Sequence, residues 1–233
     1  MNKVVKIILE VVLLAAIAGL VYLLYSNIMQ PVHFNKEKDS RQAVAVQRLK
    51  DIRTLQVAYK SVTGKFNSSV DSLKQFYETG KMDIVMQIGS MDDSIAVANT
   101  DAIKKANRKL KADQLTAKLE EAYNNGQRVV FSKTTEIPVR DTLFNNRPDF
   151  NIDSLKYIPF SGKEPIQMEA TTKMVSGVPV PLFEARIPWK SLLKGMNNQL
   201  RINLDAESRD LNRYEGLQVG SITVPNNNAG NWE

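Results

Sequence analysis

The chain contains no cysteine and a single histidine, His33. The first absence excludes a disulfide scaffold, a thiolate zinc site, an Fe–S cluster and a thiol nucleophile. The second excludes any centre built on two histidines. Glycine is sparse, at 11 residues in 233. None of the glycines falls into a phosphate loop, a dinucleotide-binding fingerprint or a serine elbow, and there is no H-E-x-x-H. Basic residues exceed acidic ones only modestly, 31 to 25 for a net charge of +6. That excess is not a nucleic-acid footprint, and two Trp and seven Tyr scattered along the chain form no stacking platform. The sequence therefore predicts no catalytic residue, no cofactor and no nucleic-acid partner.

Asp92-Asp93, Glu120-Glu121 and Asp205 with Glu207 are pairs without a pocket signature. Asp205, Glu207 and Asp210 are hard-cation ligand types, but their order is not that of an EF-hand and the loop glycine is missing. No metal site is expected. His33 follows an apolar segment and has no recognisable orienting partner, so it reads as an interfacial polar residue.

What the sequence does have is a long hydrophobic start. Ile7–Leu9 and Val11–Tyr25 are apolar or small, interrupted only by Glu10, and no charge follows until Lys36. A stretch of roughly 18–20 such residues can span a bilayer as a helix. Tyr22 and Tyr25 suit the far interface. A cleaved signal peptide is the competing reading, with Ala16-Ile17-Ala18 as its cut site, but the apolar run continues past that point. We expect an uncleaved signal anchor over 1–30. Lys3 and Lys6 favour a cytoplasmic N-terminus, with the bulk of the chain periplasmic and a single pass through the inner membrane. Glu10 lies about one turn inside the boundary, four residues after Lys6. It can pair with Lys6 on one helix face, or meet a partner helix or a neighbouring subunit's charge.

Pro31 should end or kink this helix at Gln30, opening a short polar connector over 31–40. From Arg41 to Val62 an amphipathic helix is expected, with Val46, Leu49, Ile52, Leu55, Tyr59 and Val62 at steps of three or four and Gly64 as its stop. A second helix, about 69–78, would bury Val70, Leu73, Phe76 and Tyr77. Met82–Ile88 reads as a strand. The Lys-, Ala- and Glu-rich stretch 101–123 reads as one charged helix with a basic cluster at Lys104, Lys105, Arg108, Lys109 and Lys111, part of a helical insertion at about 92–126. After Gln127 the pattern turns to β: 127–132, 135–139, a hairpin of Ile166–Met174 and Val180–Ile187 around Ser176-Gly177, an alternating Leu200–Leu204, and Gly216–Val224. Pro179 and Pro181 favour an edge position. Trp189–Leu193 looks like one or two helical turns, and Trp232 could dock back on the core.

The first 80 residues resemble type IV pilins and, more closely, type II secretion pseudopilins. The shared plan is a membrane helix with an early Glu, here Glu10, running on into an amphipathic helix such as Arg48-Leu-Lys-Asp-Ile-Arg-Thr-Leu-Gln-Val-Ala-Tyr-Lys60, then Gly64-Lys-Phe66 and a short helix with Leu73. The resemblance implies a helix packed on a small sheet. Ala229-Gly-Asn-Trp232 is similar to pseudopilin C-termini. The chain departs from the family in having no Gly before Gly19, so the prepilin peptidase site is absent. The whole chain also resembles single-pass envelope proteins of Bacteroidota, through Phe150-Asn-Ile-Asp-Ser-Leu-Lys-Tyr-Ile-Pro-Phe160 and the Asn-rich end.

These readings converge on an α+β fold: an N-terminal transmembrane helix, and an amphipathic helix packed on a mostly antiparallel sheet within an extracytoplasmic domain 41–233. The expected function is that of a non-enzymatic, membrane-anchored component of a secretion- or pilus-like envelope assembly. The alternative is a tethered periplasmic module that binds a peptide, glycan or lipid. Candidate partners are the inner membrane, other envelope proteins or further copies of the chain. The candidate interaction residues are Glu10, Lys6, Leu49, Ile52 and Tyr59.

Overall fold

A computed structural model describes residues 3–233. One helix dominates it: α1 runs unbroken from Lys3 to Thr63, 61 residues with Pro31 inside. This corrects the polar connector expected over 31–40. A proline in a helix interior costs about 3 kcal/mol through a lost hydrogen bond and a clash with the preceding turn. Three features on its C-terminal side hold the helix together. Phe34 is buried, Glu37 accepts from Arg41 Nε at 2.8 Å, and Arg41 Nη1 reaches the carbonyls of Leu192 and Lys194 at 3.3 and 3.0 Å. The N-terminal part of α1 is exposed from Lys6 to Tyr25 and is long and apolar enough to cross a membrane.

The chain forms two compact units, Met1–Lys74 with Asn151–Glu233, and Gln75–Phe150. The boundary of the second is therefore wider than the insertion expected at about 92–126.

In the first unit the C-terminal half of α1 packs on a three-stranded antiparallel sheet. Its order is β3 (Gln167–Val175), β4 (Val178–Pro188) and β5 (Gly216–Gly220). Ala45, Leu49, Ile52 and Leu55 are fully buried on α1, and Phe183, Ala185, Ile187 and Val219 answer them from the sheet. Gln56, also fully buried, accepts from the Asn67 N–H at 2.9 Å and donates to the Asn67 carbonyl at 2.5 Å, tying the loop after α1 to the helix.

The β3–β4 hairpin is the expected one. Val175 faces Val178 across a two-residue turn in which Ser176 and Gly177 both have positive φ, as a type I′ turn requires. On β4, β5 pairs with Glu184–Pro188 alone, so Pro179 and Pro181 lie where β4 is open on one side. At Gly220, with φ +72°, a Cβ would stand 2.2 Å from the Phe183 carbonyl oxygen, so only glycine fits. The C-terminus returns to α1: Arg53 Nη1 donates to Glu233 at 2.7 Å and to the Asn228 carbonyl at 3.3 Å.

The expected strand at Leu200–Leu204 is instead part of α7 (Asn198–Asp210). Leu200 and Leu204 are half-buried one turn apart while Ile202 points to solvent, so a 3.6-residue period wins over the apparent alternation. The intervening elements of this unit are a 3-10 turn at Ile152–Lys156 and the single turn α6 (Trp189–Leu192).

The second unit carries a two-stranded antiparallel ribbon, β1 (Lys81–Ile88) with β2 (Phe131–Pro138), and between them the helices α3 (Ser94–Ala106) and α4 (Ala112–Asn124). The single charged helix expected over 101–123 is thus broken at 107–111. The two strand candidates at 127–132 and 135–139 merge into β2. Leu119, Val129 and Phe131 form the core here, with Ile88, Ile103, Leu115 and Ala122 around it. α2 (Val70–Thr79) leads into this unit, and α5 (Val139–Thr142) follows β2.

Candidate functional site

The sequence-derived interaction residues do not gather. Lys6 and Glu10 stand exposed on the apolar part of α1, while Leu49 lies 39 positions beyond Glu10, roughly 58 Å along the helix at ~1.5 Å per residue. Leu49 and Ile52 are fully buried beneath the sheet of the first unit. As candidates for contact with another chain they are therefore corrected: their apolar surface is already used within the molecule. Tyr59 is half-buried at the edge of the same packing. Exposed positions on this half of α1 include Val44 and, together on one side of the helix, Lys50, Thr54 and Val57.

Charged side chains do converge elsewhere in the first unit, where α6, α7 and the start of β5 meet. Pro188 pairs with Gly216, and the Trp189 N–H donates to the Glu215 carbonyl at 3.0 Å, so α6 begins beside the first residue of β5. Asn197 caps α7 by accepting from the Leu200 N–H at 3.1 Å. At its other end the helix closes with a Schellman motif. Asn212 takes φ +53° and donates to the Arg209 carbonyl at 2.8 Å, and Arg213 donates to the Ser208 carbonyl at 2.8 Å. That reversal brings Arg213, Tyr214 and Glu215 back beside α6.

The result is a cleft of about 440 Å³ lined by Pro188, Lys190, Arg201, Asp205, Arg213, Tyr214 and Glu215. Arg201 donates through Nε and Nη2 to Asn198 at 3.2 and 2.9 Å and through Nη1 to Asp205 Oδ2. Asp205 is only 7% exposed, and its second oxygen, Oδ1, has no hydrogen-bond partner. Burial pushes its carboxyl pKa up, the nearby Glu215 adds to the rise, and Arg201 and Arg209 oppose it. Glu215 accepts from Arg209 Nη1 at 3.2 Å. Burial likewise raises the Tyr214 phenol, whose ring carries the Arg186 guanidinium 5.4 Å from its centroid. Arg186 is held in turn by the buried Glu184, which accepts from Gln218 at 2.8 Å. Lys190 and Arg213 are exposed and form no ion pair among the described residues.

Chemically, this is a place to hold a ligand. Two cations lie uncommitted, a third has donors to spare, and one buried acceptor is unmatched. Among the described residues no cluster of three or more His, Cys, Asp or Glu could hold a metal. Glu207 and Asp210, grouped with Asp205 by sequence proximity, are exposed and absent from the cleft lining. Arg201 was recoverable from the sequence once 198–210 was taken as a helix, since it stands four residues before Asp205. Lys190, Arg213 and Tyr214 carried no signal.

No protein-family model, curated protein or solved structure matches the chain.

Proposed function

We propose that this chain is a non-enzymatic structural component of a cell-envelope assembly. Its anchor is a single N-terminal helix in the inner membrane with the N-terminus cytoplasmic, and its plan is like that of the pseudopilins. The observation that carries this reading is the unbroken α1. A helix that is bare and apolar over its first half, and forms the core of an α+β unit over its second, delivers a folded unit to the membrane surface without a flexible hinge. An exposed apolar stretch of that length gains free energy only in a bilayer or against other helices.

Glu10 gives the membrane part a reason to associate. A carboxylate near the hydrocarbon costs about 2.5–3.5 kcal/mol at the centre of a span, and a partner's charge or donor recovers part of that cost. Along the rest of α1, exposed apolar residues that offer contact include Val44 and Val57.

The test is photo-crosslinking of the full chain in native membranes, with probes placed singly at Val44, Val57 and next to Glu10. Adducts with further copies or with other envelope proteins are expected, and Glu10→Leu should abolish them while membrane insertion stays intact. If every probe yields monomer only, or if Glu10→Leu leaves the adducts unchanged, the proposal fails.

A further inference from the structure

The cleft between α6, α7 and β5 offers more than an assembly component needs, and its chemistry is specific enough to name a ligand class. Three cations, Lys190, Arg201 and Arg213, line it against two carboxylates, Asp205 and Glu215. Both carboxylates are already matched, Asp205 by Arg201 and Glu215 by Arg209 from outside the cleft. The balance is positive. A zwitterion would leave it so, and an anion neutralises it.

The cations come from three separate segments: α6, α7 and the loop before β5. A carboxylate, with two coplanar oxygens, is met best by one Arg fork, whereas a tetrahedral phosphate presents oxygens in several directions at once. Asp205 Oδ1 adds the second requirement. It is a buried acceptor without a partner, on a residue that is 7% exposed and lines the cleft, and such atoms are ordinarily satisfied. It calls for a donor close to the anion, and once the anion has balanced the charge that donor is a neutral one, for which a hydroxyl serves.

The smaller neighbouring cleft, which shares Arg213 and Tyr214, supplies no competing recognition. The amides of Gln218, Asn226 and Asn231 that line it are committed to Glu184, Ala229 and Gly216.

We propose that this cleft binds a phosphate ester carrying a free hydroxyl three or four bonds from the ester oxygen, a phosphoglycerol group being the simplest, with its phosphate among Lys190, Arg201 and Arg213 and its hydroxyl donating to Asp205 Oδ1. The group can be a soluble ester or the head of a membrane lipid. The second source follows from the helix itself. Arg41 bonds the carbonyls of Leu192 and Lys194, whereas Gln56, farther from the apolar run, bonds Asn67. α6 therefore lies at the end of the first unit that faces the apolar run, about 20 Å along the helix from Ile28 at ~1.5 Å per residue. The proposal does not depend on the assembly reading and stands if the chain never associates.

The test is calorimetric titration of the full chain in uncharged maltoside micelles with sn-glycerol 3-phosphate, inorganic phosphate, glycerol and lactate. Glycerol 3-phosphate should bind about tenfold more tightly than inorganic phosphate, the worth of one hydrogen bond to a charged acceptor. Glycerol should not bind, and lactate should bind less tightly than glycerol 3-phosphate. The exposed-site changes Lys190→Ala and Arg213→Ala should each weaken both phosphates by about tenfold. Asp205→Asn should move the two probes apart: inorganic phosphate binds as well or better with a negative charge removed, while the advantage of glycerol 3-phosphate shrinks. Equal affinity for the two phosphates, tighter binding of lactate, or indifference to Lys190→Ala and Arg213→Ala overturns the proposal, and the last two variants decide it even if Asp205→Asn does not fold. Repeating the titration in phosphatidylcholine and phosphatidylglycerol nanodiscs separates the sources. Competition confined to phosphatidylglycerol discs assigns the site to a lipid head, and equal titration in both assigns it to a soluble ester.

Discussion

Gln56 lies in the helix–sheet core with no exposed surface, yet its amide is matched at both ends by the backbone of Asn67. Replacing it with leucine fits the apolar surroundings but strands the Asn67 N–H and carbonyl. At about 1–3 kcal/mol for each buried polar group left unpaired, Gln56→Leu should destabilise the full chain by about 2–4 kcal/mol. A urea midpoint in micelles that is unchanged or raised would refute this. Asp205 makes a prediction of the opposite kind. Burial raises its folded-state pKa above the unfolded value of about 3.9, so the folded protein holds that proton more tightly. The stability this group contributes is fully present below about pH 4 and is lost as pH rises through the raised value. Comparing wild type with Asp205→Asn cancels the other titrating groups, and the wild type's relative stability should fall from pH 3 to pH 6; a constant difference would rule it out. Neither residue was legible beforehand. Gln56 occupies an apolar position of an amphipathic helix, and its partner is a backbone eleven residues on. In the sequence Asp205 stands out only as one of three nearby acids, with Glu207 and Asp210.

At the scale of elements, local signals survived and long-range ones did not. The β3–β4 hairpin could be read because its turn is two residues long and lies between alternating strands. α7 could not, because Leu200, Ile202 and Leu204 fit two periods equally well, and it is the Asn197 cap and the partial burial of Leu200 and Leu204 that decide. The continuity of α1 was missed for a different reason. Proline is a strong local breaker, and what overrides it is packing from residues more than a hundred positions away, at Leu192 and Lys194. With no native cysteine, a pair of spin labels at Asn27 and Ser40 is unambiguous. A helix places their backbones about 20 Å apart at ~1.5 Å per residue, whereas an extended connector would allow up to about 43 Å at ~3.3 Å per residue. A dipolar distance distribution centred well beyond the helical value, or a broad one, would restore the connector.

At the scale of the molecule, the second compact unit is an excursion from the first. Its flanking segments stay together: Lys74 pairs with Asp153, and Lys156 Nζ holds Asp71 at 2.8 Å. Replacing 75–150 by a short Gly/Ser linker should therefore leave the first unit folded, with a cooperative melt and an intact cleft. Loss of cooperative unfolding would show that the excursion supports its host. The cleft itself was illegible at this scale, since its lining is drawn from three segments between Pro188 and Glu215 whose meeting depends on the sheet register and on the left-handed turn at Asn212. The unbroken α1 has one more consequence, for rotation. Thirty-six residues make about ten turns, so Glu10 and Val46 share an azimuth to within about 30° if the helix is straight. Val46 is half-buried and lies about 20° around the axis from the exposed Val57, on the side of α1 turned away from the buried Ile52 and Leu55. The compass bearing of Glu10 about the helix axis is thus geared to the side on which the folded unit hangs. One residue inserted between Ile28 and Phe34 would swing that unit by about 100° around the axis, while four would return it to within about 40° of its bearing and lift it by about 6 Å.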